Sequence, residues 1–338
     1  MKTKSNAIAL LATLALVAML PVPPAHAQSQ SPTPSPALLV LNKAESSLAI
    51  VDPATQKVVA RIPTGEGPHE IAASSDGKLA VVTNYGAKEP GHSLSVIDLA
   101  AQKEIHRVDL GPLGRPHGIL LADGKFYFTV ELNKLIARYD PASNQLDWLL
   151  GVGQNRTHML VRNKYLNEFF TANVDSGTVT AIEKSSDPSG WKETNIQVGK
   201  AAEGIDISPD DKEVWAANAG DGTVSIIETA SDKVIHTFDV RTKHSNRLKF
   251  TPDGKLALIS DPASGELVIV DAATRTITKM LNVGIGPGGI LIVPDGSRAY
   301  VALAGDNAVA VIDLHALEVT GKIPTGQGPD GLAWAARP

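Results

Sequence analysis

Three histidines occupy the same place in consecutive repeats of this chain, and their side chains could bind a metal ion. His69, His117 and His158 each lie two residues before the first core apolar residue of a short predicted strand, which is Ile71, Ile119 or Leu160. The next repeat has a glutamate, Glu203, at that position. Neutral imidazoles are good ligands for Zn, Cu and Fe, and three of them leave a coordination position open for water or a substrate. We therefore predict a divalent transition-metal cofactor bound by the three histidines.

The equivalent position in the other three repeats is occupied by Asn246, Gly288 and Asp330. If the repeats form a ring, all seven residues surround one opening. Arginine side chains lie beside it, and guanidinium groups bind carboxylates and phosphates in a bidentate manner. We therefore expect an anionic ligand. The ligand-binding candidates are Arg115, Arg156, His244, Asn246 and Asp330.

Two carboxylates near the histidines are candidates for catalytic proton transfer. Glu203 belongs to the predicted ring, and Glu131 ends the second strand of its repeat, where it could orient a ligand histidine or act as a general base. Most repeats have an asparagine there, interpreted as a turn cap: Asn42, Asn84, Asn173 and Asn218. Two other interpretations of the histidines stay open, a ligand pocket without metal and polar side chains that only line a water-filled channel.

The elements that must position these residues repeat with a period in the low forties. Seven acidic residues end the third strand of successive units, at Asp52, Asp98, Asp140, Glu183, Glu228, Asp271 and Asp313. Their spacings are 46, 42, 43, 45, 43 and 42 residues by subtraction. Short alternating strands at this period are typical of a β-propeller. We predict an all-β fold, a seven-bladed propeller of four-stranded antiparallel blades over residues 37–338.

The two ends of the repeat array are out of phase. The array begins with a second-type strand (residues 37–41) and ends with a lone first-type strand (residues 330–335). The last strand would therefore supply the missing innermost strand of the first blade. Such closure would remove the unpaired sheet edges of an open stack.

The N-terminal segment has the features of an export signal. Lys2 and Lys4 precede an apolar run that is too short to span a bilayer, and Ala25-His26-Ala27 resembles a cleavage site. We predict a signal peptide over residues 1–27 and a disordered Pro/Ser/Gln leader over residues 28–36. The mature protein would be periplasmic or secreted, without a membrane span. The chain has no cysteine, so strand pairing and not a disulfide must close the ring.

Composition narrows the class of partner. The formal net charge is −5, which argues against a nucleic-acid partner because nucleic-acid binding relies on clustered Lys and Arg. We expect a small-molecule ligand or an envelope protein as the partner, and a monomer.

Several segments resemble the YVTN-type β-propeller repeat family, which is exported in bacteria. The resemblance is carried by residues 80–84, 171–173 and 216–218, by Gly-x-Gly-Pro segments such as residues 65–68, and by Pro-Asp-Gly turns. It implies the propeller fold but no single activity. Pro68-His69, Pro116-His117 and the Arg-Thr-His segment at residues 156–158 also resemble bacterial seven-bladed lactonases.

Two classes of function follow. The first is a binding module that captures a small ligand, a metal or an envelope partner at the face that carries the histidines. The second is an enzyme that uses the histidines, either a metal-assisted hydrolase or lyase or a lactonase. The sequence has no phosphate-binding loop, no cysteine nucleophile, no His-Glu-x-x-His and no credible Gly-x-Ser-x-Gly motif, which favours the first class.

Overall fold

A computed structural model describes residues 32–165, 167–186 and 190–337 of the chain. In these residues twenty-eight strands form seven four-stranded antiparallel sheets, which are the blades of a β-propeller. The fold prediction is therefore confirmed.

The strands of the first four blades, numbered in chain order, have the following bounds. Blade 1 contains β1 (Ala37–Asn42), β2 (Ser47–Asp52), β3 (Lys57–Pro63) and the last strand, β28 (Pro329–Ala335); blade 2 contains β4 (Pro68–Ala73), β5 (Leu79–Gly86), β6 (Pro90–Asp98) and β7 (Lys103–Asp109); blade 3 contains β8 (Pro116–Ala122), β9 (Lys125–Val130), β10 (Leu135–Asp140) and β11 (Gln145–Gly151); blade 4 contains β12 (Thr157–Asn163), β13 (Glu168–Asn173), β14 (Thr178–Lys184) and β15 (Trp191–Gln197).

The other three blades follow the same order. Blade 5 contains β16 (Ala202–Ile207), β17 (Glu213–Asn218), β18 (Thr223–Glu228) and β19 (Lys233–Asp239); blade 6 contains β20 (Leu248–Phe250), β21 (Leu256–Asp261), β22 (Glu266–Asp271) and β23 (Thr276–Asn282); blade 7 contains β24 (Pro287–Ile292), β25 (Arg298–Leu303), β26 (Ala308–Asp313) and β27 (Glu318–Pro324). One short 3-10 helix, Lys43–Glu45, joins β1 to β2.

The C-terminal strand closes the ring as predicted. β28 pairs antiparallel with β1, so that Ala335 lies opposite Ala37 and Ala333 opposite Leu39. The first blade is thus built from both ends of the array, and β1 has a hydrogen-bonded neighbour on each side. Apolar side chains fill the spaces between blades, as where Leu39 of blade 1 packs in one cluster with Ile71 and Val82 of blade 2.

A β-bulge near the start of the innermost strand aims one residue toward the channel in six of the seven blades. In blade 2, Pro68 pairs with Asn84 and Glu70 with Thr83, which leaves His69 as an extra residue without a partner. Comparable register shifts occur at this end of the innermost strand in six blades. Bulges re-aim side chains and are frequent beside functional sites.

The predicted signal peptide and residues 28–31 of the predicted leader lie outside the described residues. Within the remaining leader residues Thr33 is buried, and its hydroxyl donates to Leu99 O over 2.5 Å. Arg337 Nη2 donates to Thr33 O over 2.7 Å. The last residues of the predicted leader therefore contact the propeller. Among the described residues, no helix has the length and apolar character needed to cross a membrane.

Candidate metal and ligand site at the channel mouth

The structure brings the seven equivalent residues into one ring around the channel, here called the mouth ring: His69, His117, His158, Glu203, Asn246, Gly288 and Asp330. The imidazole of His117 lies between those of His69 and His158, with ring centroids 4.0 and 3.8 Å apart. The three histidines of neighbouring blades are therefore in direct contact.

The acidic and amide members complete the mouth ring. Glu203 Oε1 lies 3.8 Å from His158 Nε2 and accepts a 2.6 Å hydrogen bond from Asn246 Nδ2. On the other side, Asp330 Oδ2 is 3.2 Å from His69 Nδ1. Gly288 fills the last place, where an added Cβ would lie 3.5 and 3.6 Å from side-chain oxygens of Asp330 and Asn246.

The backbone of the bulges is held by threonines of the preceding blade. Thr83 Oγ1 donates to His117 O over 2.8 Å, and Thr129 Oγ1 donates to His158 O over 2.5 Å. Both threonines are fully buried. These bonds fix the main chain beside two of the three histidines, which is the kind of support that a preorganised site needs.

The imidazole of His117 is the least satisfied polar group of the site. Its side chain is fully buried, and neither ring nitrogen has a hydrogen-bond partner. His69 Nδ1 and His158 Nε2 are also buried without one, since the approach of Asp330 to His69 is close but not directed as a hydrogen bond. Four imidazole nitrogens in one cluster therefore lack a partner in the described residues.

The potential ligand atoms fall into two groups that share His117. One group contains His69, Glu70 and His117, and the other contains His117, Glu131 and His158. Within each group the ligand atoms lie within 4.8 Å of one another. The three predicted histidines are thus in contact, but neither group contains both His69 and His158, and each group has a carboxylate beside His117.

Glu131 connects His158 to a tyrosine. Its Oε1 accepts from His158 Nδ1 over 2.5 Å, and its Oε2 accepts from the Tyr85 hydroxyl over 2.6 Å. In the neutral form of His158 this leaves the lone pair of Nε2 directed away from Glu131. A carboxylate on the far nitrogen of a histidine is the usual second partner of a metal-binding imidazole.

Burial and neighbouring charges shift the pKa values of these groups. Burial lowers the pKa of His69 and of His117 well below the usual 6.5, and nearby Lys43 and Arg247 lower both pKa values further. Burial and the hydrogen bond to Glu131 raise the pKa of Tyr85 to about 12. For Glu131, burial favours the acid form, but the hydrogen bonds from His158 and Tyr85 outweigh it and lower its pKa. The site therefore holds neutral imidazoles at His69 and His117, near the ionised carboxylate of Glu131.

Arg115 and Arg156 occupy a backbone position that favours glycine. The residue two before the mouth ring has a positive φ of 59°, 65° and 62° at Gly67, Gly286 and Gly328. At Arg115 and Arg156 it is 58° and 57°. A side chain in this conformation costs about 1–2 kcal/mol. Ala201, two before Glu203, has the same conformation with a φ of 55°, so the positive φ belongs to the repeat.

The two arginines differ in their surroundings. The guanidinium of Arg115 lies 4.6 Å from the ring centre of Tyr85, and Lys43 Nζ lies 5.5 Å from the same ring. Arg156 is more exposed, and its Nη1 is 3.7 Å from Asp175. Arg115 is therefore the better placed of the two to meet a ligand above the mouth ring.

His244, the remaining predicted ligand residue, lies at the edge of the site. Its side chain is half exposed, and its Nε2 is 3.7 Å from Glu203 Oε2. Its backbone N–H donates to Asp261 Oδ1 over 3.1 Å. Every predicted site residue is thus at or beside the mouth ring.

Sequence reasoning missed three residues of the site, Tyr85, Lys43 and Glu70. Tyr85 and Lys43 directly follow the recurrent asparagine of their blades, at a position that is apolar in the other blades. Lys43 belongs to the site because its Nζ is 3.5 Å from Asp330 Oδ2. Glu70 and Arg247 directly follow mouth-ring residues, where four blades have glycine. At Gly331, for example, an added Cβ would be 2.4 Å from the backbone oxygen of His69. Departure from the repeat consensus was the signal that could have identified these residues.

The recurrent asparagines bond to side chains of the next strand, which is a structural role but differs from the predicted cap on the turn backbone. Asn84 Nδ2 donates to the hydroxyls of Ser93 and Ser95, over 3.0 Å each. Asn173 and Asn218 make the same pair of bonds to hydroxyls of the next strand. They join the second strand to the third and are not directed at the mouth ring.

Comparisons with known proteins support the fold. No protein-family model and no curated protein matches the chain. Solved structures do match: a protein of unknown function from Desulfotomaculum acetoxidans has a TM-score of 0.75 and 13% identity over 90% of this chain and 100% of that one. A candidate 6-phosphogluconolactonase from Bacteroides uniformis has a TM-score of 0.72 and 16% identity over 89% and 99%. At such identities the likeness is one of fold.

Proposed function

We propose that this propeller binds a divalent transition-metal ion together with a small anionic ligand at the mouth ring. His69, His117 and His158 would hold the ion, with Glu203 beside them. Because His69 and His158 belong to different groups of close ligand atoms, their rings would have to move toward each other when the ion binds. The proposal rests mainly on one observation, that both ring nitrogens of the fully buried His117 lack a hydrogen-bond partner.

The free-energy cost of burying unpaired imidazole nitrogens is the reason for proposing a metal ion. Burial of a polar atom without a partner costs about 1–3 kcal/mol, and most buried polar groups in proteins therefore have one. Four such nitrogens lie together here. An ion bound between the rings would accept lone pairs from several of them at once and offset that cost. Zn, Cu and Fe(II) are the ions that imidazole and carboxylate ligands suit.

The charge balance motivates the anionic ligand. With neutral imidazoles, four cations and four carboxylates around the ring cancel: Lys43, Arg115, Arg156 and Arg247 against Glu70, Glu131, Glu203 and Asp330. A divalent ion would change this sum from 0 to +2. Bound to such a site, the ion would polarise an oxygen of the ligand. Arg115 and Lys43, which flank the ring of Tyr85, are placed to neutralise the ligand's charge.

Metal content of protein purified without a His tag tests the proposal. We expect about one equivalent of Zn, Cu or Fe in the mature chain by elemental analysis, and its loss in His117→Ala. His315→Ala is the matched control, because His315 is exposed and lies in a turn of blade 7. Calorimetric titration of dialysed protein with Zn²⁺, and then of the loaded protein with oxalate and inorganic phosphate, measures the two binding steps separately.

Two results would contradict the proposal. Dialysed wild-type protein that takes up none of Zn²⁺, Cu²⁺ and Fe²⁺ would exclude the metal. Anion binding that is as tight in Arg115→Gln as in the wild type would exclude the assigned role of that arginine. A second variant, Glu203→Gln, keeps the shape of this side chain and removes its charge. It therefore tests whether the charge of Glu203 is needed for binding.

An enzymatic function is the alternative, and the Glu131–His158 pair favours it. Glu131 could accept a proton from a water or substrate activated beside His158, because both groups are buried and 2.5 Å apart. The resemblance of Pro68-His69 and Pro116-His117 to propeller lactonases also favours an enzyme, and we propose a kinship with the YVTN-type repeats from the segments that resemble them. Turnover of a panel of lactones, abolished in Glu131→Gln, would establish catalysis; its absence would leave the binding function alone.

We also propose that the protein is exported. The support is the charged start, the short apolar run and Ala25-His26-Ala27. Intact mass of the protein from its native host should correspond to a chain that starts at Gln28. Retention of residues 1–27 would contradict cleavage and favour an uncleaved anchor.

A further inference from the structure

We propose that the central channel is a second binding site, which takes an amphipathic organic anion from the face opposite the mouth ring. A cavity of about 760 Å³ occupies the channel there. Small-molecule sites are typically clefts of about 300–1,000 Å³ with apolar walls and a few polar groups. The two sites meet only at the inner end of the cavity, where Glu70 and Arg247 lie, and the proposed charged group of the ligand would lie at the other end.

An ion pair across the channel forms the inner end of this cavity. Glu70 and Arg247 each follow a mouth-ring residue, on blades 2 and 6, which are separated by blades 1 and 7 around the ring. Arg247 Nε and Nη2 donate to Glu70 Oε1 over 3.0 and 2.5 Å. The side chain of Arg247 is only 4% exposed. The pair thus spans the channel one residue inside the mouth ring, and the cavity begins beyond it.

The walls of the cavity are apolar side chains that the protein does not fully bury. Leu121, Ile207, Ile292 and Leu332, from four different blades, all line it and remain half-buried. These residues lie further along the innermost strands, which run from the mouth ring to the opposite face. Contiguous exposed apolar surface inside a concavity marks a ligand site more often than a solvated channel.

The outer rim of the cavity has an excess of positive charge. Its cations are Arg162, Lys164 and Lys249 and its carboxylates are Asp123 and Asp206, which sum to +1 by formal charge. The whole chain, by contrast, has a net charge of −5. Lys249 pairs with Asp206 at 3.2 Å, whereas Lys164 has no ion pair among the described residues.

Arg162 provides the rim with a hydrogen-bond donor that has no acceptor. Its Nη2 donates to Asn167 Oδ1 over 2.5 Å and lies 2.8 Å from Asp123 Oδ2, but its Nε is buried without a partner. A carboxylate or sulfonate at the rim could accept from Arg162 and pair with Lys164. The inner end, where Glu70 and Arg247 neutralise each other, has no such excess. The ligand's apolar body would therefore fill the channel and its charged group would stay at the rim.

Two fluorescent probes with the same apolar body test the proposal. 1-Anilinonaphthalene-8-sulfonate carries a sulfonate, and N-phenyl-1-naphthylamine is the same molecule without it. We expect the mature protein to bind the sulfonate probe more tightly. Arg162→Gln and Lys164→Gln should each weaken the sulfonate probe about tenfold and leave the neutral probe unchanged, because only a charge-assisted contact is lost. Ile292→Trp, which fills the cavity, should weaken both probes. Lys279→Gln, on the exposed outer strand β23, is the control.

The outcomes separate this site from the mouth ring. His117→Ala should bind both probes as the wild type does, whatever its metal content. The circular dichroism spectrum and the melting temperature of each variant must match those of the wild type, since the sulfonate probe also binds partly unfolded proteins. If Ile292→Trp does not fold, Leu121→Trp takes its place. No probe binding to the folded protein, or binding unchanged in both cavity-filling variants, would overturn the site. Equal loss of both probes in Arg162→Gln would overturn the assignment of an anion.

Discussion

The ion pair between Glu70 and Arg247 gives the most discriminating test of how the channel is built. Glu70→Ala removes the carboxylate and leaves the guanidinium of Arg247 inside the protein, with its side chain 4% exposed. Loss of one partner from a buried pair costs about 3–5 kcal/mol, because the remaining charge has no compensation. Burial acts to lower the pKa of Arg247, but Glu70, Asp330 and Glu203 outweigh it and raise that pKa, so two carboxylates still compensate the charge when Glu70 is removed. We therefore expect the lower end of this range, about 3 kcal/mol.

A double-mutant cycle separates the loss of the pair from the loss of side-chain packing. Arg247→Met keeps much of the apolar volume and removes the charge, so in the Glu70→Ala background it should restore stability and not lower it further. The coupling free energy should fall in the range of about 0.5–3 kcal/mol that contacting residues show. Denaturant unfolding of the four proteins gives the free energies of unfolding.

A surface pair provides the matched control. Arg107 Nε lies 2.5 Å from Glu104 Oε1, but Arg107 is 43% exposed. Glu104→Ala should cost no more than about 1 kcal/mol, as exposed ion pairs do. If Glu70→Ala costs as little as Glu104→Ala, or if the double variant is the sum of the single ones, the pair does not carry a buried charge across the channel and our reasoning is wrong.

Three further predictions concern closure, pH and strain. Truncation after Gly328 deletes β28, and should cost several kcal/mol and expose the edge of β1; a truncated chain that stays monomeric by gel filtration and melts within a few degrees of the intact one would contradict closure. Burial, with Asp232 and Glu183 nearby, raises the pKa of Glu168 to about 8 from the usual 4.5. The folded state therefore binds this proton more tightly than the unfolded state does. The free energy of unfolding should fall as pH rises between these two values, by at most about 1.4 kcal/mol per pH unit. Glu168→Gln should flatten that slope in unfolding curves at pH 5 to 8, and an unchanged slope would assign it to other groups. Arg156→Gly should raise the free energy of unfolding by about 1 kcal/mol relative to Arg156→Ala, since only glycine relieves the positive φ; equal stabilities would show that no strain is stored there.

Much of the fold could be read from the sequence because the information that specifies a blade is local. Alternating apolar residues, Asp-Gly turns and acidic strand ends recur within each unit, so the number of blades and the closure by residues 330–335 follow from counting. The mouth ring also follows, since equivalent positions of a symmetric ring must meet around its axis. This is why the predicted residues His69, His117 and His158 are in contact.

The tertiary structure alone decided how those residues interact. The Glu70–Arg247 pair joins positions 177 residues apart on blades that do not touch along the ring, so no local pattern could indicate it. The link from His158 through Glu131 to Tyr85 depends on rotamers at the junction of blades. The lack of partners at His117 likewise depends on which neighbouring groups turn toward it. The symmetry of the ring determines the backbone position of each side chain. Its partner depends on residues that differ from the repeat consensus in other blades, and these residues come together only when the ring is closed.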